Sequence, residues 1–416
     1  MATHAHADDS AKPLDVREPT FGEFDFAWMN GNNAQPASLL TSGPVTFSLY
    51  IDTYYAWQFH RPIDHTIFAS TTAPRHNEIS LNLAHLGVDV TGLDGPIGRL
   101  YIQYGSTVET VAGQDTTTTR GYYLTNRLLQ NLEQAAAGWH FHTWHGINVE
   151  GGIFPSYVGL ESYLPEENWA YTHAFMSDFT PYYFFGLRGQ FFPTARLKVE
   201  LWVVNGWQTF GEWHEARAGG YLWNWRPRAW LSFVNSLYAG REAQGDPDSL
   251  RVYSDNNVQV RYYEGCLPKS LAVSIVADLG HEHRGNAPSG WMGGVQIAHR
   301  IEWNERWKTN LRVDFFEDQT QALSTKFPVG SPYPWPGTGK LVVGGVAATL
   351  DYWPSPWFLT RLEYAHREAN QPYFSGRGGI TGPDGFPPID ASAAAGFTPD
   401  LQRRDDRVLV NATLRL

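Results

Sequence analysis

His140, His142 and His145 crowd the stretch HFHTWHG, a spacing that gathers a divalent metal if the chain folds back on itself there. Trp139 and Trp144 flank them at a polar break between two alternating runs, so packing of amphipathic rings at an interface accounts for the same residues without a metal. HEHR, His281–Arg284, offers a second set of ion-binding groups at the start of a polar segment. Serine, histidine and acids are present, yet no nucleophile elbow or other catalytic context joins them. Cys266 is the only cysteine, which excludes an intramolecular disulfide framework and a cysteine-rich metal site. The groups that recur with a clear period are charges. In RLKVELWVV, Arg196, Lys198 and Glu200 fall on even numbers and Leu197, Val199, Leu201 and Val203 on odd ones.

A strand points successive side chains to opposite faces, so this stretch has one apolar face and one charged face. Alternating runs recur near 45–59, 77–91, 97–105, 128–141, 146–154, 180–192, 195–206, 217–226, 228–240, 249–264, 268–281, 291–304, 308–318, 338–353, 356–368 and 405–416. Phe47, Leu49, Ile51 and Tyr55 oppose Ser48, Tyr50, Asp52 and Gln58; Leu311, Val313 and Phe315 oppose Arg312, Asp314 and Phe316. Runs 77–91 and 228–240 slip phase partway, as a β-bulge would make them do. The breaks alternate between short ones, such as 193–194 and 226–227, and long Gly/Pro-rich ones, such as 155–179, 319–337 and 369–404.

Composition narrows what the apolar face meets. Charged residues are 18% of the chain, below the roughly 25% of soluble domains. With a net charge of -11 and no basic stripe, the footprint of a nucleic-acid binder is missing. No stretch reaches the roughly 18 to 20 apolar residues of a membrane-spanning helix. A β-barrel needs none, because strands of about 9 to 11 residues alternate between lipid and lumen. A soluble sandwich or propeller is the rival fold, but it requires neither the long/short alternation of connections nor the aromatics beside the breaks. Those aromatics are Trp57, Trp139, Trp144, Trp207, Trp225, Trp303, Trp307, Trp353 and Trp357, placed as an interfacial belt would be. The expected fold is therefore all-β: a closed antiparallel up-and-down transmembrane barrel of about sixteen strands, with short periplasmic turns and long extracellular loops. Parity puts both termini in the periplasm. Ala5-His6-Ala7 fits the small-x-small end of a signal-peptide cleavage site.

The stretches NWAY (Asn168–Tyr171), VELWVVNGW (Val199–Trp207), PIGRLYIQYG (Pro96–Gly105), RLEYAHREANQPYFSGRGG (Arg361–Gly379) and FGEFDFAWMNGNN (Phe21–Asn33) resemble the putative β-barrel porin family of bacterial outer membranes, the OmpL-like type. The resemblance covers most of the chain from about residue 20. It implies an integral outer-membrane location and a barrel scaffold, with no catalytic residues to carry over. The chain departs from the common pattern at its end, where Leu416 stands in place of an aromatic residue.

Phase directs Asp52, Arg99, Arg188, Arg196, Lys198, Glu200, Arg251, Arg261, Arg300, Glu302, Arg312, Asp314, Arg361, Glu363 and Arg367 into the lumen, since Arg or Lys facing lipid at the midplane costs about 2–4 kcal/mol. Charged rings set selectivity in pores, whereas opposite charges on neighbouring strands pair and stiffen the wall. In general porins with sixteen strands, the loop equivalent to 155–179 folds inward. By that analogy Glu161, Glu166, Glu167 and Asp178 form an acidic constriction favouring cations. Residues 1–44 precede the barrel (45–416), as a periplasmic extension or a partial plug.

The expected function is passive diffusion of small hydrophilic solutes or ions, with no catalytic residues, no cofactor and no metal. Its partners are outer-membrane lipid, the solutes, and a homo-oligomer of the trimeric kind common among diffusion porins; nucleic acid is excluded. Two alternatives stay open: a closed barrel serving as adhesin or scaffold, and a hydrolase at the rim. Bulky lumen residues meeting across the axis, such as Trp202, Tyr263 and Phe316, would mark a closed barrel.

Overall fold

A computed structural model describes residues 19–35, 38–91, 95–115, 117, 129–212, 216–243, 245–324, 339–387 and 397–416. The Ala5–Ala7 stretch lies outside the described residues. Sixteen strands form where the sequence alternates: β1 (Val45–Gln58), β2 (Ile79–Val90), β3 (Pro96–Tyr104), β4 (Leu132–Phe141), β5 (Ile147–Pro155), β6 (Tyr183–Thr194), β7 (Leu197–Val204), β8 (Ala218–Arg228), β9 (Leu231–Gly240), β10 (Leu250–Glu264), β11 (Ser270–His283), β12 (Gly290–Glu302), β13 (Trp307–Asp318), β14 (Leu341–Ser355), β15 (Phe358–Ala369) and β16 (Arg404–Arg415). Each pairs antiparallel with the next, and β16 returns to β1 with Val410 opposite Tyr55. Closure leaves no free edge, as a sheet in hydrocarbon requires. It reaches the last residue: Leu416 N–H donates to Leu49 O (2.9 Å) and Leu49 N–H to Leu416 O (3.1 Å).

Breaks 91–95, 142–146, 195–196, 229–230, 265–269, 303–306 and 356–357 lie at one end of the barrel, the turn end, together with the start of β1 and the finish of β16. The long connections lie at the other, the loop end, where 284–289 is the short exception.

The two phase slips are bulges. On β2, Leu83 faces Asp52 and Leu81 faces Thr53, so Asn82 is the extra residue, and both Asn82 and Leu83 are buried. Between β8 and β9 the register shifts between the Leu231–Arg228 and Phe233–Trp225 pairs. Outward positions carry the apolar belt, with Leu187, Leu201, Leu279, Leu311 and Leu362 at least half exposed. Trp139, Trp144, Trp225, Trp303 and Trp307 are exposed near the turn end, as an aromatic girdle needs. Trp207 and Trp353 depart from the expected belt. Trp207 is buried against Tyr238 and Tyr253, and buried Trp353 lies beside Lys308, because both take inward positions.

Candidate functional site

Inward phase by itself would make a wide polar lumen, but most inward side chains here are buried, because other parts of the chain fill the barrel. The main filler is segment 156–182, between β5 and β6. It runs from the loop end to the turn end, where Glu166 and Glu167 meet Arg415, and climbs back to Asp178, which meets Arg367. A hydrogen-bonded backbone needs partners wherever it is buried, and the barrel wall supplies them. Arg361 donates to Pro165 O (3.0 Å) and Asn168 O (2.8 Å), and Arg367 to His173 O (2.7 Å) and Ala69 O (2.8 Å). Arg312 donates to Thr172 O, while Glu363 accepts from the N–H groups of Tyr171 (2.5 Å) and Thr172 (3.0 Å).

Apolar contacts complete the anchoring. Trp202 stacks on Tyr157 (4.8 Å between centroids) and Phe316 on Phe179 (5.8 Å). The bulky residues therefore meet the inner segment and not each other across the axis. Tyr263 does neither, being exposed beyond a register shift near the turn end.

A second filler enters at the turn end. Phe21 and Phe26 sandwich the Arg226 guanidinium (4.4 and 4.9 Å), and Trp28 covers Arg261 (5.4 Å). Asn30 exchanges hydrogen bonds with Gln259 (2.8 and 3.2 Å), and its Oδ1 accepts from Trp169 N (2.7 Å) on the inner segment. Gly31 has φ +68°, and a Cβ there would collide with Leu160 O, so this close approach needs glycine.

The predicted site residues thus sort into pairs. Arg99 and Arg188 both bond Glu150, Lys198 pairs with Glu200 (2.8 Å), and Arg251 with Glu282. Arg300 and Arg361 share Asp351 (3.4 and 2.6 Å), Glu302 pairs with Lys308 (2.8 Å), and Arg312 with Asp314 (3.1 Å). Asp52 accepts from Asn82, Tyr171, Asn411 and Thr413. Arg196 is the exception to the lumen assignment. It sits in the 195–196 turn before β7 begins and pairs with Glu23 at the rim.

The four loop acids do not form a bare acidic ring. Arg415 binds Glu166 and Glu167, Arg312 lies 3.6 Å from Glu161, and Arg367 is 2.9 Å from Asp178. Burial alone would raise the Asp178 pKa, but the Arg367 guanidinium and the His173 ring outweigh it and hold the carboxyl at about 2. The wall cations that anchor the segment are therefore the reason its acids cannot act as an unpaired cation filter.

A cavity of about 320 Å³ lies between the inner segment and strands β1–β4, lined by Ser48, His85, Tyr101, Glu133, Glu161 and Arg415 among others. His85 Nδ1 is 2.7 Å from Glu133 Oε2, and Asp89 accepts from the Tyr101 hydroxyl. Neither His85 nor Glu133 was predicted. His85 follows the β2 bulge, and Glu133 is skipped where Tyr101 faces Gln134 and Ile102 faces Leu132, so both lie where the period of two is broken.

Among the described residues, no three His, Cys, Asp or Glu side chains converge as a metal centre. His140 bonds Asn148 (2.7 Å) and packs edge-on against His142 (4.8 Å), and His281 packs against Trp291 (4.8 Å).

The family model described as putative beta-barrel porin-2, OmpL-like, matches residues 44–391. No curated protein matches the sequence. Among solved structures, OmpT, an outer membrane protein of Vibrio cholerae, is 9% identical, with 91% of this chain and 100% of that chain covered and a TM-score of 0.52. It is also known in a trimer form. The anion-selective porin from Comamonas acidovorans is 10% identical, with 89% and 99% covered and a TM-score of 0.52. The outer membrane channel DcaP of Acinetobacter baumannii is 9% identical, with 89% and 97% covered and a TM-score of 0.52. At such identities the likeness is one of fold alone.

Proposed function

This chain belongs to the putative beta-barrel porin-2, OmpL-like family, outer-membrane β-barrels, and from that premise we propose that it passes small hydrophilic solutes or ions by passive diffusion. The observation that carries the proposal is the cavity along β1–β4, a part of the lumen that the inner segment leaves unfilled, with titratable groups of both signs on its walls. A solute moving there exchanges water for His85, Tyr101, Glu133 and Arg415, with no bond made or broken. The turns face the periplasm with both termini, and the long loops face outward, as in barrels of this class. Residues 19–35 act as a partial plug at the turn end, a reading supported by the Trp28 and Asn30 contacts inside the rim.

The test is single-channel conductance of the purified protein in a planar bilayer, with reversal potential under a salt gradient. Small ohmic steps are expected, because the inner segment narrows the route to one side. Silence from folded, heat-modifiable protein would overturn the diffusion reading and favour a closed scaffold. The anchored inner segment is the observation that favours that second reading.

We propose a homo-oligomer as well. Asn235, Ser254 and Asn256 project outward midway along β9 and β10, with apolar outward neighbours on both sides, and bond one another (Asn235 Nδ2 to Asn256 Oδ1, 2.8 Å). Amides facing hydrocarbon are costly, and a second copy would cover them. Cysteine in place of Asn256 should cross-link between copies in native membranes; monomeric behaviour with lipid-accessible cysteine would refute this.

A further inference from the structure

Buried acids in this barrel as a rule have either a cation beside them, as Glu166 has Arg415 and Asp405 has Arg407, or several donors. Asp52 accepts from four side chains, Asp318 from the backbone of Ala322, Leu323 and Ser324, and Glu363 from two N–H groups and two threonine hydroxyls. Asp255 and Asp278 break the rule. They stand directly opposite each other on β10 and β11, facing inward, at 1% and 6% exposure. Asp255 Oδ1 accepts from Asn257 Nδ2 (3.1 Å) and Asp278 Oδ2 from the Tyr253 hydroxyl (2.9 Å). Asp255 Oδ2 and Asp278 Oδ1 have no donor other than a proton shared between the two carboxyls, and among the described residues neither acid forms an ion pair.

The vicinity adds two neutral oxygens in the same state. Ser236 lies opposite Asp255 on β9 and is fully buried, and its Oγ has no partner. Asn257 Oδ1, one inward position along β10, is buried and unpartnered too. On the far side, Gly294 of β12 faces Asp278, and the space over it is taken by Met176 of the inner segment. Two carboxylates held side by side under this cover repel strongly unless something positive lies between them. A proton shared by the acids would relieve them but leave the serine and amide oxygens without partners. A cation with a preference for oxygen ligands accounts for all of them.

We propose that Asp255 and Asp278, with Ser236 and Asn257 beside them, bind a hard divalent cation of the calcium or magnesium kind on the inner wall of β9–β11. Water completes the six to eight oxygens that calcium takes. The role is structural: the ion ties three neighbouring strands together beneath the inner segment, on the wall away from the cavity. With two carboxylates, affinity falls near that of extracellular calcium modules, about 0.1–1 mM.

The test uses the full-length protein, refolded in detergent without lipopolysaccharide and stripped with chelator. Terbium is added with excitation of the aromatic residues, since Tyr253 bonds Asp278 directly, and calcium is then titrated in as competitor. Wild-type protein should show sensitised emission that calcium displaces, and calcium should raise the melting temperature. Asp278→Asn and Asp255→Asn should each weaken terbium binding at least tenfold, and Ser236→Ala by a smaller factor. Absence of calcium-displaceable emission from the wild type overturns the proposal, and this arm does not depend on any variant folding. Emission equal in wild type and folded Asp278→Asn overturns it as well. So does a wild type indifferent to calcium whose Asp278→Asn variant melts higher, since that marks a pair held by a proton.

Discussion

The inner face of β12–β16 and that of β1–β4 follow the same alternation, yet they do different work. On the first, Arg312, Arg361, Glu363 and Arg367 reach across to backbone groups of segment 156–182, and all four are nearly inaccessible. On the second, Ser48, His85, Tyr101 and Glu133 border the cavity. A charge pointing into a barrel is therefore not by itself a pore charge. It becomes one only where a cavity borders it, and here the inner segment packs against one wall and leaves a cavity of about 320 Å³ against part of the other.

That contrast predicts unequal mutational costs. The largest should come from Arg367→Ala, which leaves Asp178 buried without its guanidinium partner; removing one partner of a buried pair costs about 3–5 kcal/mol. Unfolding in detergent should register the loss, and conductance should rise as the Asp178 end of the segment loosens while Arg312, Arg361 and Glu363 hold the rest. If the double variant Arg367→Met/Asp178→Leu recovers the stability without reopening the pore, anchoring and not charge is what this wall contributes. On the cavity wall, Glu133→Gln should cost less, about 1.5–3 kcal/mol for a charge-assisted hydrogen bond. Its main effect should be on reversal potential, shifted away from cation preference; an unchanged potential would break the comparison.

Gly31→Ala strains the entry of the plug segment but touches no strand. We expect a modest rise in conductance and a stability loss of about 1–3 kcal/mol, the cost of a strained backbone position, because the added Cβ meets Leu160 O. The smallest effect belongs to Lys198→Gln. Its side chain is 23% exposed, and buried Glu200 keeps the Gln190 amide and Trp202 indole as donors, so the loss should be about 1 kcal/mol. A stability loss as large as that of Arg367→Ala would mean that pairing within the wall, and not anchoring of the inner segment, sets these costs.

Strand positions, their facing and the closed barrel were legible in the sequence, because a strand facing lipid on one side and polar groups on the other must alternate at every step. Leu197 to Val204 show this directly: Leu201 and Val203 are exposed outward and Glu200 and Trp202 buried inward, as their spacing requires. The inward direction of Asp52, Arg312 and Arg361 followed from the same rule. Arg196 was misplaced because the two-residue turn takes it before the strand begins, and a local period carries no such boundary. His85 and Glu133 were missed because His85 follows the bulge at Asn82 and Glu133 is itself the residue that the register skips.

The sequence by itself determined which residues face in and which face out, since that depends only on neighbours along the chain and on the difference between lipid and water. Only the tertiary structure decided which inward charges meet water. That depends on where segment 156–182 and residues 19–35 lie inside the closed barrel, and therefore on contacts such as Arg367 with Asp178 and Asn30 with Gln259. Residues so far apart in the chain leave no periodic trace, because what joins them is the closure of the sheet around them.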